Sequence, residues 1–124
     1  MIVGIGVDVV EIQRFRTSAE RTAGFVERLL TVRERHHTDG SPRSDASMAA
    51  RFAAKEALAK ALGAPAGLEW HDAEVRVDSG GKPSLVLRGS VLETASELGV
   101  TDWHLSLSHD GGLAIAYVIA ERRE

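Results

Sequence analysis

No cysteine occurs in the chain, which removes disulfide frameworks, thiolate zinc sites and thiol nucleophiles from consideration. An excess of basic residues is also missing: 15 Lys and Arg stand against 18 Asp and Glu, a formal charge of −3. A general nucleic-acid binder neutralises phosphates with such an excess, so that class is set aside, although a local basic face remains compatible with the total. No long hydrophobic run is present. The longest apolar stretch, Leu113 to Ala120, is far too short to cross a bilayer. Met1 to Asp8 has no basic residue ahead of its apolar run and does not read as a signal peptide, so a cytoplasmic protein is expected. No repeat and no low-complexity segment interrupts the 124 residues.

What is present fits one folded domain, residues 1–124. An apolar share of 44% beside 27% charged residues is that of an ordinary globular chain. A domain this small buries a modest fraction of its surface, which favours oligomers. Ile2 to Val10 reads as a buried strand with Gly4 and Gly6 on one face, where another backbone can approach closely. Helix is expected from Glu11 to Arg21 and from Gly24 to Leu30. A capping box at Thr31-Val32-Arg33-Glu34 starts a third helix. Thr38 to Arg43 is a loop, and Ser44 or Asp45 caps a long helix. Its residues Ala46, Ala50, Ala53, Ala54, Ala57 and Ala61 make a narrow stripe that Gly63 terminates. Ala73 to Val77 and Ser84 to Arg88 form a hairpin. Ser90-Val91-Leu92-Glu93 reads as a second capping box, and its helix closes at Gly99. Trp103 to Ser108 and Leu113 to Ile119 are the last strands. The order β-ααα-ββ-α-ββ, dominated by hairpins, predicts an α+β fold with an antiparallel sheet packed on the long helix.

Several side chains stand out chemically. Asp8 lies in an otherwise apolar strand, where a carboxylate needs a partner or a cation, unless it marks a solvated strand end. Arg51 and Lys55 flank the alanine stripe on one side, and Glu56 and Lys60 on the other. Read alone, Glu56–Lys60 is a surface i,i+4 ion pair; the alternative is a metal-binding carboxylate beside a phosphate-binding lysine. Phe52 lies opposite the stripe, where a lone subunit would expose it. His109 ends the row of Trp103, Leu105 and Leu107, as a cap or a phosphate-facing donor. His36, His37 and His71 read as surface residues, since their placement makes no zinc site. Gly80-Gly81-Lys82-Pro83 is a hairpin turn with a cation and lacks P-loop spacing. Arg14, Arg21 and Arg28 recur every seven residues. They make one basic stripe only if the helix runs through Gly24, and such a stripe on an acidic chain suits an acidic protein partner.

Three segments together resemble one family, the small trimeric holo-acyl-carrier-protein synthases. Gly4-Ile5-Gly6-Val7-Asp8-Val9-Val10-Glu11-Ile12 is similar to their opening motif. Arg51-Phe52-Ala53-Ala54-Lys55-Glu56-Ala57-Leu58-Ala59-Lys60-Ala61-Leu62-Gly63 is similar to their long helix, and Trp103-His104-Leu105-Ser106-Leu107-Ser108-His109-Asp110 to their penultimate strand. The resemblance implies a phosphopantetheinyl transferase fold. It implies transfer of 4′-phosphopantetheine from coenzyme A to a serine of apo acyl carrier protein, with Mg²⁺, leaving 3′,5′-ADP. The carrier would serve fatty-acid or polyketide synthesis. Asp8 and Glu56 would then be the magnesium carboxylates. Glu56, Lys60 and His109 would take part in catalysis: Lys60 near the leaving phosphate, Glu56 as one candidate for accepting the serine proton. Arg51, Lys60, Gly81, Lys82, Pro83, Ser108 and His109 would line the coenzyme A site. Arg14, Arg21 and Arg28 would meet the carrier, and the clefts of a homotrimer would lie between subunits, which would explain Phe52. Many relatives carry Thr or Ser where this chain has Asp110; the extra carboxylate is either an additional candidate for the metal or a charge that disfavours phosphate close by.

Overall fold

The Val- and Ile-rich opening forms strand β1 (Ile2–Glu11). It is followed by α1 (Ile12–Arg21), α2 (Phe25–Leu29), α3 (Val32–Arg35) and the long α4 (Asp45–Ala61). A single 3₁₀ turn at Trp70–Asp72 leads into β2 (Ala73–Val77) and β3 (Pro83–Leu87), then α5 (Gly89–Glu97), β4 (Asp102–Asp110) and β5 (Leu113–Glu121). This computed structural model describes all of residues 1–124. Class and element order are as expected. The strands, however, divide into two antiparallel sheets: β1-β5-β4 in three strands, and the β2-β3 hairpin by itself.

The three-stranded sheet has one face for α4 and one for solvent. Ala114, Ala116, Val118 and Ala120 of the central strand are fully buried under the helix. Beside them on β1 stand Val10, Asp8, Gly6 and Gly4, and on β4 His109, Leu107, Leu105 and Trp103. Both glycines are required. A β-carbon at Gly4 would overlap the carbonyl oxygen of Ala61, and one at Gly6 that of Ala57. Helix and strand thus touch backbone to backbone, as the alanine stripe anticipates. On the other face Ile5, Val7, Val9 and Tyr117 are 44–54% exposed, an apolar surface with nothing over it in one chain.

Local signals explain the helix boundaries. Ser44 Oγ accepts the Ser47 N–H at 3.1 Å and caps α4. The Thr31–Glu34 box is formed in both directions. Gly24, with φ of 78°, breaks the chain between α1 and α2, so Arg14, Arg21 and Arg28 do not lie along one continuous helix. The second capping box is absent: α5 starts two residues before the position that box implies, at Gly89 with Arg88 as its N-cap. Ser90 instead donates through Oγ to Asp72 at 2.8 Å and accepts from Glu69 N–H at 2.9 Å. Asp72 also accepts the Ser90 N–H, so a carboxylate distant in sequence satisfies this helix start. His36 is half-buried in a bridge to Pro42 rather than on the surface, and its Nδ1 has no partner.

One buried ion pair ties the helices together. Lys55 Nζ lies 2.6 Å from Glu34 Oε1, and the two side chains are 2% and 0% exposed. The ammonium also donates to the carbonyls of Leu29 at 2.8 Å and Trp70 at 3.0 Å. Glu34 accepts the N–H groups of Thr31 at 2.9 Å and Val75 at 2.8 Å. Desolvation pulls the Lys55 ammonium below its ordinary pKa, against the opposing pull of Glu34. Removing one partner strands the other charge, so Lys55→Met is expected to cost about 3–5 kcal/mol in urea unfolding. A loss under about 1 kcal/mol would contradict this reading of the pair.

Candidate active site

The backbone contact between α4 and β1 sets the site. Asp8 occupies the next helix-facing position of β1 after Gly6, with Ala116 as its cross-strand partner. Lys60, one turn after Glu56 on α4, reaches Asp8 Oδ1 and the Val7 carbonyl, at 3.0 and 2.9 Å. The surface pair expected between Glu56 and Lys60 is not formed, because the lysine turns to β1. Asp8 is 17% exposed in its side chain, so its carboxylate is neither solvated nor orphaned.

Glu56 is half-buried on the same side of α4. Burial raises its pKa, the neighbouring Asp8 carboxylate adds to the rise, and Lys60 opposes it. Its side chain stands between two hollows. One, of about 380 Å³, is bounded by Asp8, Arg14, Phe15, Phe25, Phe52 and Glu56. The other, of about 240 Å³, is mainly apolar, with Pro65, Leu68, Trp70 and Val91 in its walls. Phe52 is not left exposed as expected. Its ring stacks on Phe15 at 5.7 Å between centroids and packs against Trp70 at 5.6 Å. Phe15, Phe25 and Trp70 carry no local signal for this role; only the packing of α1, α2 and the 3₁₀ turn against α4 assembles them.

The remaining candidates lie elsewhere. His109 is at the end of β4, the edge strand opposite β1, and is exposed. Asp110 pairs with Leu113, and Ser108 with Ile115, which puts both on the face of the sheet that α4 does not cover. One chain therefore does not bring Asp110 to Asp8 and Glu56, and no cluster of three metal-ligating side chains exists. Arg51 is buried on the Lys55 side of α4 and donates to Ser47 Oγ at 2.6 Å. Burial, then the nearby Arg43 cation, pushes its pKa down to about 10. Gly81, Lys82 and Pro83 form the β2-β3 turn, with Gly81 at φ of 86° and the Lys82 N–H bonded to Asp78. Arg14, Arg21 and Arg28 are exposed and unpaired; only Arg14 borders the larger hollow.

The raised pKa of Glu56 has a signed consequence. The folded state holds this proton more tightly than the unfolded chain, so the ionised side chain opposes folding above the carboxylate range. Glu56→Gln is expected to raise Tm at neutral pH, and the gain should fade as the pH drops to about 4. Thermal unfolding of both proteins across that range checks it. A difference independent of pH would contradict it.

Comparison with known proteins gives the family and agrees with the fold. The family model for the 4′-phosphopantetheinyl transferase superfamily matches residues 4–118. Holo-[acyl-carrier-protein] synthase of Salinispora arenicola is 57% identical over 122 residues, 98% of this chain and all of that protein. Its counterpart from Streptomyces avermitilis is 58% identical over 120 residues, covering 97% of this chain and 98% of that one. Among solved structures, a Chronobacterium ammoniagenes synthase in complex with coenzyme A superposes with a TM-score of 0.82 at 30% identity, covering 98% of each chain. One from Bacillus anthracis in complex with coenzyme A (3′,5′-ADP) has a TM-score of 0.78 at 38% identity, covering 99% of each. With the motif segments, the fold and these full-length matches in agreement, the chain belongs to the 4′-phosphopantetheinyl transferase superfamily, among its holo-acyl-carrier-protein synthases.

Proposed function

We propose that residues 1–124 act as one transferase domain that moves 4′-phosphopantetheine from coenzyme A to a serine of an apo acyl carrier protein, releasing 3′,5′-ADP. The observation that carries this reading is Glu56, which stands between an apolar hollow and a hollow edged by Arg14, with Asp8 and Lys60 at its side. The apolar hollow suits the pantetheine arm. The other suits the carrier, whose serine would then meet the reacting phosphate beside Glu56.

The donor set fits Mg²⁺. Burial and the neighbouring Asp8 carboxylate raise the cost of ionising Glu56, and a hard cation relieves it. Asp8 and Glu56 would hold the ion, leaving its other positions to water and pyrophosphate oxygens. When bound, it supplies charge neutralisation at the pyrophosphate. Lys60 Nζ, already held by Asp8 and the Val7 carbonyl, can hand a proton to the leaving phosphate. The Glu56 carboxylate, with its raised pKa, accepts the serine proton directly or through a water. Arg14, Arg21 and Arg28, free of ion pairs, face an acidic carrier surface.

Arg51, Lys82, Ser108 and His109, the residues expected at the coenzyme A phosphates, lie away from Asp8 and Glu56 in one chain. A homotrimer with sites between subunits would supply them, and Asp110, from a neighbour. The uncovered apolar face of Ile5, Val7, Val9 and Tyr117 supports such an assembly. The substrates put the reaction in the cytoplasm, in fatty-acid synthesis and, where such carriers exist, in polyketide synthesis.

Intact mass of an apo acyl carrier protein after incubation with this protein, coenzyme A and Mg²⁺ tests the reading. One phosphopantetheine should be added, and a chelator should prevent it. Asp8→Ala and Glu56→Ala should each slow transfer by at least about a hundredfold with the fold intact. No mass gain with either fatty-acid or polyketide carriers would overturn the function. Sedimentation at a single 13.3 kDa subunit would overturn the trimer.

A further inference from the structure

Asp8 is ion-paired with Lys60, and Glu56 feels the same ammonium without bonding to it. The two members of the Asp8–Lys60 pair differ in freedom. The Asp8 side chain is 17% exposed and that of Lys60 50%. A carboxylate so covered needs a cation beside it. A half-exposed ammonium on a flexible four-carbon stem does not need that carboxylate, because water can replace it. Nζ has a second anchor: it donates to the Val7 carbonyl at 2.9 Å as well as to Asp8 Oδ1 at 3.0 Å. Release from Asp8 therefore leaves the lysine tethered to β1. An ammonium has three donors, so such a release frees one and adds it to the donor that Val7 and Asp8 leave over.

Two carboxylates with one ammonium carry a single net negative charge. A divalent cation seated while the ammonium stays on Asp8 would face a like charge across one carboxylate, where burial weakens screening. We propose that Lys60 is the resident counter-ion of the Asp8–Glu56 pair: its ammonium yields Asp8 to a divalent cation and, still tethered to the Val7 carbonyl, only then turns its freed donor to a phosphate. Loading of the ion and readiness of the lysine are one event in this exchange. The inference rests on the reading of Asp8 and Glu56 as the carboxylates that hold Mg²⁺.

Calorimetric titration of the full chain with Mn²⁺, in the absence of coenzyme A and carrier, tests it in the wild type, K60M, K60R, D8N and D8N/K60M. K60M should bind Mn²⁺ at least about tenfold tighter than wild type. K60R keeps the charge and should show no gain. In the D8N background the gain from K60M should fall below about twofold, since there is no carboxylate left to yield. Thermal unfolding gives a second readout: at one Mn²⁺ concentration, Tm should rise more for K60M than for wild type. Equal affinity of K60M and wild type overturns the exchange. So does a gain of full size in the D8N background, which would make Lys60 a general repulsive charge and not the counter-ion of Asp8. Tightening in K60M with no carrier modification by the wild type would leave the exchange standing and remove the transferase reading; carrier modification without tightening would do the reverse.

Discussion

The close approach of α4 to β1 is the constraint on which the rest depends. A helix normally keeps its side chains between its axis and a sheet. Here two glycines on the strand and alanines on the helix remove those spacers, and the carbonyls of Ala57 and Ala61 rest over Gly6 and Gly4. The helix faces flanking that contact then fall at defined heights beside the strand. Lys60 comes within hydrogen-bonding reach of Asp8, and Glu56 comes near enough to Asp8 for that carboxylate to help raise its pKa. A bulkier interface would move Glu56 and Lys60 away from β1 and dissolve the site.

The other side of α4 solves a different problem. Lys55, next to Glu56 in the chain, points into the interior, where it and Glu34 satisfy four backbone groups from α2, α3, the 3₁₀ turn and β2. A buried ion pair contributes little stability by itself. Its effect here is to hold short helices that have few internal hydrogen bonds of their own. Among them α2 carries Phe25, which borders the hollow beside Glu56, so one face of α4 supplies chemistry while the other fixes what surrounds it.

Most elements were legible because they carry local signals: the glycine spacing in β1, the alanine stripe, the Thr31–Glu34 box, the turn glycines. Asp8, Glu56 and Lys60 were legible as candidates, yet the partner of Lys60 was not, since a helical wheel sees only neighbours on the same helix. The Ser90 box failed because Asp72 outcompetes Glu93 as the acceptor at that helix start, a tertiary effect with no local trace. Phe52 was misjudged for the same reason; its cover comes from Phe15 and Trp70, far away in sequence.

Gly6→Ala tests the helix–strand contact directly. The added methyl must displace α4 from β1. Urea unfolding together with Mg²⁺-dependent phosphopantetheine transfer should show a stability loss of at least about 2 kcal/mol and transfer reduced by more than the unfolded fraction explains. A Gly6→Ala protein of unchanged stability and full transfer rate would contradict the claim that this contact positions Asp8, Glu56 and Lys60.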